Sequence, residues 1–171
     1  MKSSSSAGYP FMAVTALFCS VIFSCGTTTT TRPVSPNETT AVKDSIVLMM
    51  GTIANDISAN GPKAWLKYFE NTPTFFMAAD GQLAFANYDS AVIFINNTVI
   101  KNIKTIQLRW ADIRIDSLTN SLAVVAATYH EDITGFSSKT MPYGGYFTAT
   151  AEHTAQGWKL RNVHWSLLAD K

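Results

Sequence analysis

The second half of the chain contains four long segments of strand-like sequence, separated by three short connections. The segments, which are rich in aromatic and β-branched residues, are residues 106–115, 122–133, 142–153 and 158–168. The connections between them are polar or contain glycine, as turns do. Because short connections join strands that run antiparallel, this half of the chain predicts one antiparallel sheet of four long strands.

The first half of the chain predicts helices. Apolar residues at helical spacing draw one stripe on the first helix, namely Ile46, Met50, Ile53 and Ile57. Gly61 and Pro62 suit the end of that helix and the start of a second one, which we expect over residues 62–70. Asn87 can cap a third helix, whose apolar stripe continues to residue 103.

A short hairpin is predicted between the second and third helices. Asp80 and Gly81 separate two apolar segments, residues 75–79 and 83–85. An Asp-Gly pair readily adopts the positive φ angles of a two-residue hairpin turn. Three helices and a hairpin that precede an antiparallel sheet predict an α+β domain, which we expect to occupy residues 41–171.

This order of elements resembles the nuclear transport factor 2-like superfamily, in particular its SnoaL-like branch. The resemblance covers about residues 43–168 and rests on the helix pair around residues 65–69, the hairpin and the final strand with its Gly-Trp-Lys-Leu-Arg-Asn-Val-His-Trp-Ser sequence. It implies a cystatin-like, cone-shaped half-barrel, in which the helices and hairpin pack on a curved, mainly antiparallel sheet. It also implies an apolar pocket in the mouth of the cone and a homodimer through the outer face of the sheet.

The N-terminal region predicts export and a lipid anchor. Residues 11–23 form an apolar run of thirteen residues, which matches a signal-peptide core and is shorter than the roughly 20 residues of a membrane-spanning helix. Cys25 closes the run in a sequence that resembles a lipobox. We therefore expect residues 1–24 to be a lipoprotein signal peptide, Cys25 to carry the lipid, and residues 25–40 to be a disordered Thr/Pro-rich tether. The expected location is the bacterial cell envelope.

Charge and cysteine content restrict the possible partners. The chain has 13 basic and 12 acidic residues and no basic cluster, so no nucleic-acid partner is expected. After removal of the signal peptide Cys25 is the remaining cysteine, which leaves no disulfide. The three histidines, His130, His153 and His164, lie on different predicted strands without ligand-type spacing, and neither a metal nor a cofactor is predicted.

Strand alternation and the resemblance together predict which residues line the pocket. On the last strand, Asn162 and His164 share the face expected to point inward, whereas Trp165 points outward and forms either outer-face packing or a dimer surface. Aromatic residues from every layer are expected to complete the pocket. The predicted lining is Trp65, Phe69, Phe76, Tyr88, Trp110, Tyr146, Asn162 and His164.

Three functions remain open from the sequence. The first is binding of a small hydrophobic or aromatic molecule in the pocket. The second is an acid–base enzyme, an isomerase, cyclase or dehydratase, that uses His164 or His130. His130 and Asp132 share a strand face, so Asp132 is a possible partner for that imidazole. The third is a structural dimer whose cone is filled by its own aromatic side chains.

Overall fold

The computed structural model describes residues 34–168, so the predicted signal peptide, Cys25 and most of the predicted tether lie outside the described residues. Within them, the first helix, α1, spans Pro36–Asn60. The prediction that the tether continues to residue 40 is therefore wrong. The helix begins earlier because Ser35 and Glu38 form a capping box, in which each side chain binds the other residue's backbone N–H.

A 3₁₀ helix, Pro62–Lys67, replaces the predicted second α-helix. It is followed by strands β1, Phe76–Ala79, and β2, Gln82–Phe85, which pair in the predicted hairpin. Asp80 and Gly81 have φ angles of 48° and 79°, as a two-residue turn of this type requires. The hairpin prediction is confirmed.

The third helical segment begins at Asn87, as predicted. The Asn87 side chain accepts a hydrogen bond from the Ser90 backbone, and the Ser90 hydroxyl accepts one from the Asn87 backbone. The segment then consists of helix α2, Tyr88–Phe94, a π-helical turn, Ile95–Val99, and the short helix α3, Ile100–Asn102.

The long strands are β3, Ile103–Ser117, β4, Leu122–Gly135, β5, Thr140–Thr154, and β6, Gly157–Leu167. They form one curved, unclosed sheet in the order β2-β1-β6-β5-β4-β3. All neighbouring strands are antiparallel except β1 and β6, which run parallel. The predicted α+β architecture is confirmed.

Helix α1 covers the inner face of the sheet. The Trp110 indole N–H donates to the Met50 carbonyl oxygen (2.9 Å), and the Leu108 N–H donates to the Ser58 hydroxyl (3.1 Å). The stripe predicted on this helix, represented by Ile46 and Ile53, is fully buried. No helix within residues 34–168 is long and apolar enough to cross a membrane.

Two of the β-bulges in the sheet change which side chains face inward on β6 and on the second half of β3. In β6, Thr150 pairs with Asn162 but Ala151 pairs with Leu160, so Arg161 is an extra residue on that strand. The Arg161 side chain forms an ion pair with Glu152 on β5, with an N–O distance of 2.7 Å. The second bulge, in β3, contains Asp112, whose φ angle is 50°.

Candidate functional site

A cavity of about 250 Å³ lies between the sheet, the hairpin and the helical segment 88–102. It is open to solvent, so the cone is not filled by its own side chains. Residues 34–168 supply fourteen lining residues, of which thirteen are apolar or aromatic and the remaining one is Glu131. The lining residues are Pro62, Trp65, Phe69, Met77, Phe85, Phe94, Ile95, Val99, Ile103, Ile106, Tyr129, Glu131, Ile133 and Trp165.

Strand β4 supplies the carboxyl group. Its inward positions follow the alternation of a strand, with Val125 and Ala127 in the core and Tyr129, Glu131 and Ile133 on the cavity wall. Glu131 is thus placed by strand geometry on a face that is otherwise apolar. Among residues 34–168 no hydrogen bond or ion pair engages its carboxylate.

The surroundings of Glu131 favour its neutral form. Burial raises the pKa of Glu131 from 4.5 to about 7, because an apolar wall solvates a carboxylate poorly. Burial, together with the charges of Glu131 and Asp80, raises the pKa of Tyr129 to about 12. The cavity therefore contains one group that exchanges a proton near neutral pH and a phenol that stays protonated.

Trp165 lines the cavity and connects it to the core. Its ring contacts four aromatic rings, those of Trp65, Trp110, Tyr129 and Phe147, at centroid distances of 5.5, 5.8, 4.5 and 4.9 Å. Sequence alternation had placed Trp165 on the outer face, and that orientation is wrong. The bulge at Arg161 reverses the alternation, so that Leu160 and Val163 both point inward and Trp165 follows them.

The same bulge moves two predicted pocket residues to the outside. Asn162 and His164 lie on the outer face of the sheet, where they border a shallow depression together with Phe76. Tyr146, opposite Ser166 on β6, also points outward and is 54% exposed. The structure therefore does not bring these four residues to the cavity.

The other predicted lining residues occupy three different environments. Trp65 and Phe69 line the cavity, as expected. Trp110 does not line it, because its ring packs behind Trp165 and its N–H is bonded to α1. Tyr88 lies on another side of the 3₁₀ helix, where its hydroxyl donates to the Leu66 carbonyl oxygen (3.2 Å).

Neither candidate catalytic histidine lies in the cavity. His130 is exposed on the outer face of β4, next to Glu131 in sequence but on the opposite side of the strand. Asp132, the expected partner of His130, instead forms an ion pair with Arg109 at 2.9 Å. No group of histidine, cysteine or acidic side chains within residues 34–168 is arranged to bind a metal ion.

Glu131 is the functional candidate that the sequence analysis missed. The signal was present, because a single acid interrupts the apolar alternation that runs from Val125 to Ile133. The sequence analysis names His130 as a candidate acid–base residue, with Asp132 as its possible partner. That interpretation selected the wrong face of the strand.

Solved structures show the same fold. A nuclear transport factor 2-like superfamily protein from Salmonella enterica aligns with a TM-score of 0.65 and 18% identity, over 77% of this chain and 94% of its own. A putative scytalone dehydratase from Novosphingobium aromaticivorans aligns with a TM-score of 0.65 and 14% identity, over 79% and 89% of the two chains. A hexachlorocyclohexane dehydrochlorinase from Novosphingobium barchaimii aligns with a TM-score of 0.60 and 10% identity, over 80% and 97%.

These comparisons define the fold as nuclear transport factor 2-like, as the resemblance implied. The neighbours include proteins named as enzymes and proteins of unknown function. Because the sequence identities are only 9–18%, the comparisons show that the fold is shared and nothing more. Comparison with protein-family models and with curated proteins finds no match to the chain.

Proposed function

We propose that the cavity binds a small, largely apolar molecule that places one polar group against Glu131. The observation that carries this proposal is the single carboxyl group on an otherwise apolar, open cavity wall. A pocket of this composition buries the body of a ligand by the hydrophobic effect and uses few polar groups to orient it. Such a pocket also discriminates well, because a buried polar group without a partner costs free energy.

The cavity volume restricts the size of the ligand. An engineered apolar cavity of about 150 Å³ binds benzene, whereas pockets for drug-sized ligands begin at roughly 300 Å³. A volume of about 250 Å³ lies between these values and fits a molecule of one or two rings. The aromatic rings of Trp65, Phe69 and Trp165 on the cavity wall favour a planar or aromatic ligand.

Binding of 2-naphthol and naphthalene by calorimetry tests the proposal. The two molecules have the same ring system, and 2-naphthol adds one hydroxyl that can donate to Glu131. We expect wild type to prefer 2-naphthol, and Glu131→Leu to lose that preference while it retains naphthalene. Ile106→Trp should block both ligands, because Ile106 lies on the cavity wall, and His164→Ala on the outer face should change neither affinity. Absence of binding by both molecules, or a preference that survives in Glu131→Leu, contradicts the proposal.

An acid–base enzyme is the second candidate, and the pKa of Glu131, about 7, favours it. A carboxyl group with this pKa both accepts and donates protons efficiently at neutral pH. Dehydratase and dehydrochlorinase are among the names of proteins with this fold, which supports small-molecule chemistry in such a cavity. The expected general acid–base is Glu131 instead of His164 or His130. Any turnover that a panel of hydroxylated or halogenated ring compounds reveals should be lost in Glu131→Gln and retained in His164→Ala and His130→Ala.

We also propose that the chain is exported and attached to a membrane of the bacterial cell envelope through lipid on Cys25. The support is the apolar run before this residue and the lipobox-like sequence that ends in it. Cell fractionation with metabolic labelling by a fatty acid tests the proposal. Wild type should be labelled and sediment with membranes, whereas Cys25→Ser should be unlabelled. Label that persists in Cys25→Ser contradicts the assignment.

The outer sheet face is the proposed homodimer surface. Its support is a set of exposed apolar side chains, Phe76, Val124 and Tyr146, around the shallow depression at His164. Trp165 is not part of this surface. Light scattering of a fragment from residue 32 to 171 should give twice the mass of one fragment. Phe76→Ser with Tyr146→Ser should give the single mass, while Leu48→Ser on α1 should not.

A further inference from the structure

Apolar side chains continue beyond the cavity onto the surface around its mouth. We define the rim as Phe94, Ile100, Phe136, Met141 and Leu167, all of which are exposed large apolar residues. Phe136 is 63% exposed and Phe94 is 46% exposed. Exposed apolar side chains that stand singly need no explanation, but a group of them at one site indicates an interaction surface.

Strand pairing and chain order place the rim at the cavity. Phe94 itself lines the cavity, and Ile100 directly follows the lining residue Val99. Met141 pairs across β4 and β5 with the lining residue Ile133.

The other two rim residues reach the mouth from the turn after β4 and from the end of β6. Phe136 follows Gly135, which pairs with the lining residue Ile103. Leu167 lies two residues beyond Trp165 on the same strand. Each rim residue thus lines the cavity, pairs with a lining residue across two strands, or lies within two residues in the chain of a lining residue or its strand partner.

Three lysines accompany the rim on one side of the mouth. Lys101 lies two residues before Ile103, Lys104 directly follows it, and Lys139 lies in the turn between β4 and β5. The Gly135 N–H donates to the Lys139 carbonyl oxygen (3.3 Å), which brings this turn beside Ile103. All three lysines are exposed, and within residues 34–168 no hydrogen bond or ion pair engages their amino groups. The chain as a whole has a net charge of +1, and one acidic side chain also lies at the rim, because the Asp80 carboxylate accepts a hydrogen bond from the Leu167 N–H (2.9 Å).

Exposed apolar side chains next to exposed lysines match the chemistry of an anionic lipid surface. The lysines attract the headgroups, and the aromatic and aliphatic side chains enter the boundary between headgroups and acyl chains.

We propose that the mouth of the cavity docks on an anionic lipid membrane through the rim and the three lysines. The cavity then opens toward the bilayer, so its ligand is a molecule that partitions into lipid and enters without crossing water. The identity of the ligand rests on the proposed binding function, but the docking itself does not.

Vesicle sedimentation of the fragment 32–171 tests the docking. This fragment contains every residue of the hydrophobic core and lacks Cys25, so a lipid anchor cannot contribute. We expect it to sediment with vesicles of phosphatidylcholine plus phosphatidylglycerol and much less with phosphatidylcholine alone. Binding should weaken as salt rises from 0.1 M to 1 M, because the Debye length falls from about 10 Å to about 3 Å.

Variants of the rim and of the three lysines should reduce the partition coefficient between vesicles and water, each according to the charge or apolar surface that it removes. Neutralisation of Lys101, Lys104 and Lys139 to Gln should cost about fivefold for each lysine. Phe136→Ser should cost about tenfold, because it removes one large apolar side chain from the membrane boundary. None of these four residues lines the cavity.

Matched controls are available on α1. Leu48 is 72% exposed and Lys43 is exposed, and both lie on the half of α1 that precedes Met50. The mouth lies beyond the other end of this helix, because Pro62 lines the cavity. Leu48→Ser and Lys43→Gln should therefore leave vesicle binding unchanged.

The outcomes separate the two proposals. Three results would overturn the docking. The wild-type fragment fails to bind anionic vesicles, the α1 control variants lose as much binding as the rim variants, or light scattering shows that the rim variants abolish a dimer. Binding of 2-naphthol without vesicles should be the same in wild type and in the rim variants. If the protein binds 2-naphthol but does not bind vesicles, the docking proposal is wrong and the proposed cavity function stands. The reverse result leaves docking standing and removes the cavity function.

Discussion

Replacement of Glu131 should change how the stability of the domain depends on pH. The pKa of Glu131 is raised in the folded protein, from 4.5 to about 7, so the folded state binds this proton more tightly than the unfolded state does. The stabilisation is fully present below pH 4.5 and is lost as pH rises through about 7. Wild type should therefore lose stability with rising pH relative to a variant that has no ionisable group at this position.

The expected magnitude follows from the two pKa values. At about 1.4 kcal/mol for each pH unit between them, ionisation of Glu131 costs the folded state roughly 3 kcal/mol at alkaline pH. Part of this cost, somewhat under 1 kcal/mol, is already present at pH 5 because the unfolded state has begun to ionise. Between pH 5 and pH 8 the free energy of unfolding of Glu131→Gln should therefore rise by about 2.5 kcal/mol relative to that of wild type.

Urea denaturation of the fragment 32–171 at several pH values from 5 to 8 measures this difference. The comparison of wild type with Glu131→Gln cancels the titration of all other groups, and Glu131→Leu should show the same slope with a different offset. His130→Ala, on the opposite face of the same strand, is the control and should not reproduce the slope. A difference that is independent of pH, or one in which wild type gains stability with rising pH, would refute burial of an unpaired carboxyl group at this site.

Four further predictions concern packing, the backbone and the cap of the first helix. Trp165→Ala should destabilise the domain by about 3–5 kcal/mol in urea denaturation, whereas His164→Ala should change it by less than about 0.5 kcal/mol; equal effects would contradict the reversed alternation of β6. Gly51→Ala should stabilise by about 0.5–1 kcal/mol, because an added methyl group meets nothing at this helical position. Gly145→Ala should give little folded protein in the same assay, because its methyl group would overlap a backbone carbonyl of β6. A normal urea transition would contradict that close approach. Ser35→Ala should cost about 1 kcal/mol through loss of the helix cap, and an unchanged midpoint would mean that the helix does not begin there.

Local signals were sufficient to predict most elements from the sequence. The Asp80–Gly81 turn and the cap at Asn87 depend on a few neighbouring residues, and both predictions are confirmed. The start of α1 was also readable, because Ser35 and Glu38 have the spacing of a capping box with Pro36 at the first helical position. The low apolar content before residue 41 obscured this signal.

Side-chain direction on β6 was harder to predict, because it depends on one inserted residue. Strict alternation holds only while each residue has one partner on the next strand. Arg161 has no partner in the register with β5, and every residue beyond it changes face. The sequence does contain one indication of this bulge. The apolar residues Leu160, Val163 and Trp165 are spaced by three and then two residues, whereas regular alternation gives a spacing of two throughout.

The chemistry of the cavity depends on this one insertion and on the regular alternation of β4. Without the bulge, His164 would point inward and Trp165 outward, and an imidazole would accompany Glu131 in the cavity. With the bulge, Trp165 fills that position and joins four aromatic rings. Within residues 34–168, Glu131 and Tyr129 are the titratable side chains on the cavity wall. A carboxyl group without a hydrogen-bonding partner among the described residues is poorly solvated, so its pKa rises toward neutrality and it is available to a ligand. The feature that stabilises the core is thus the same feature that leaves the carboxyl group unpaired.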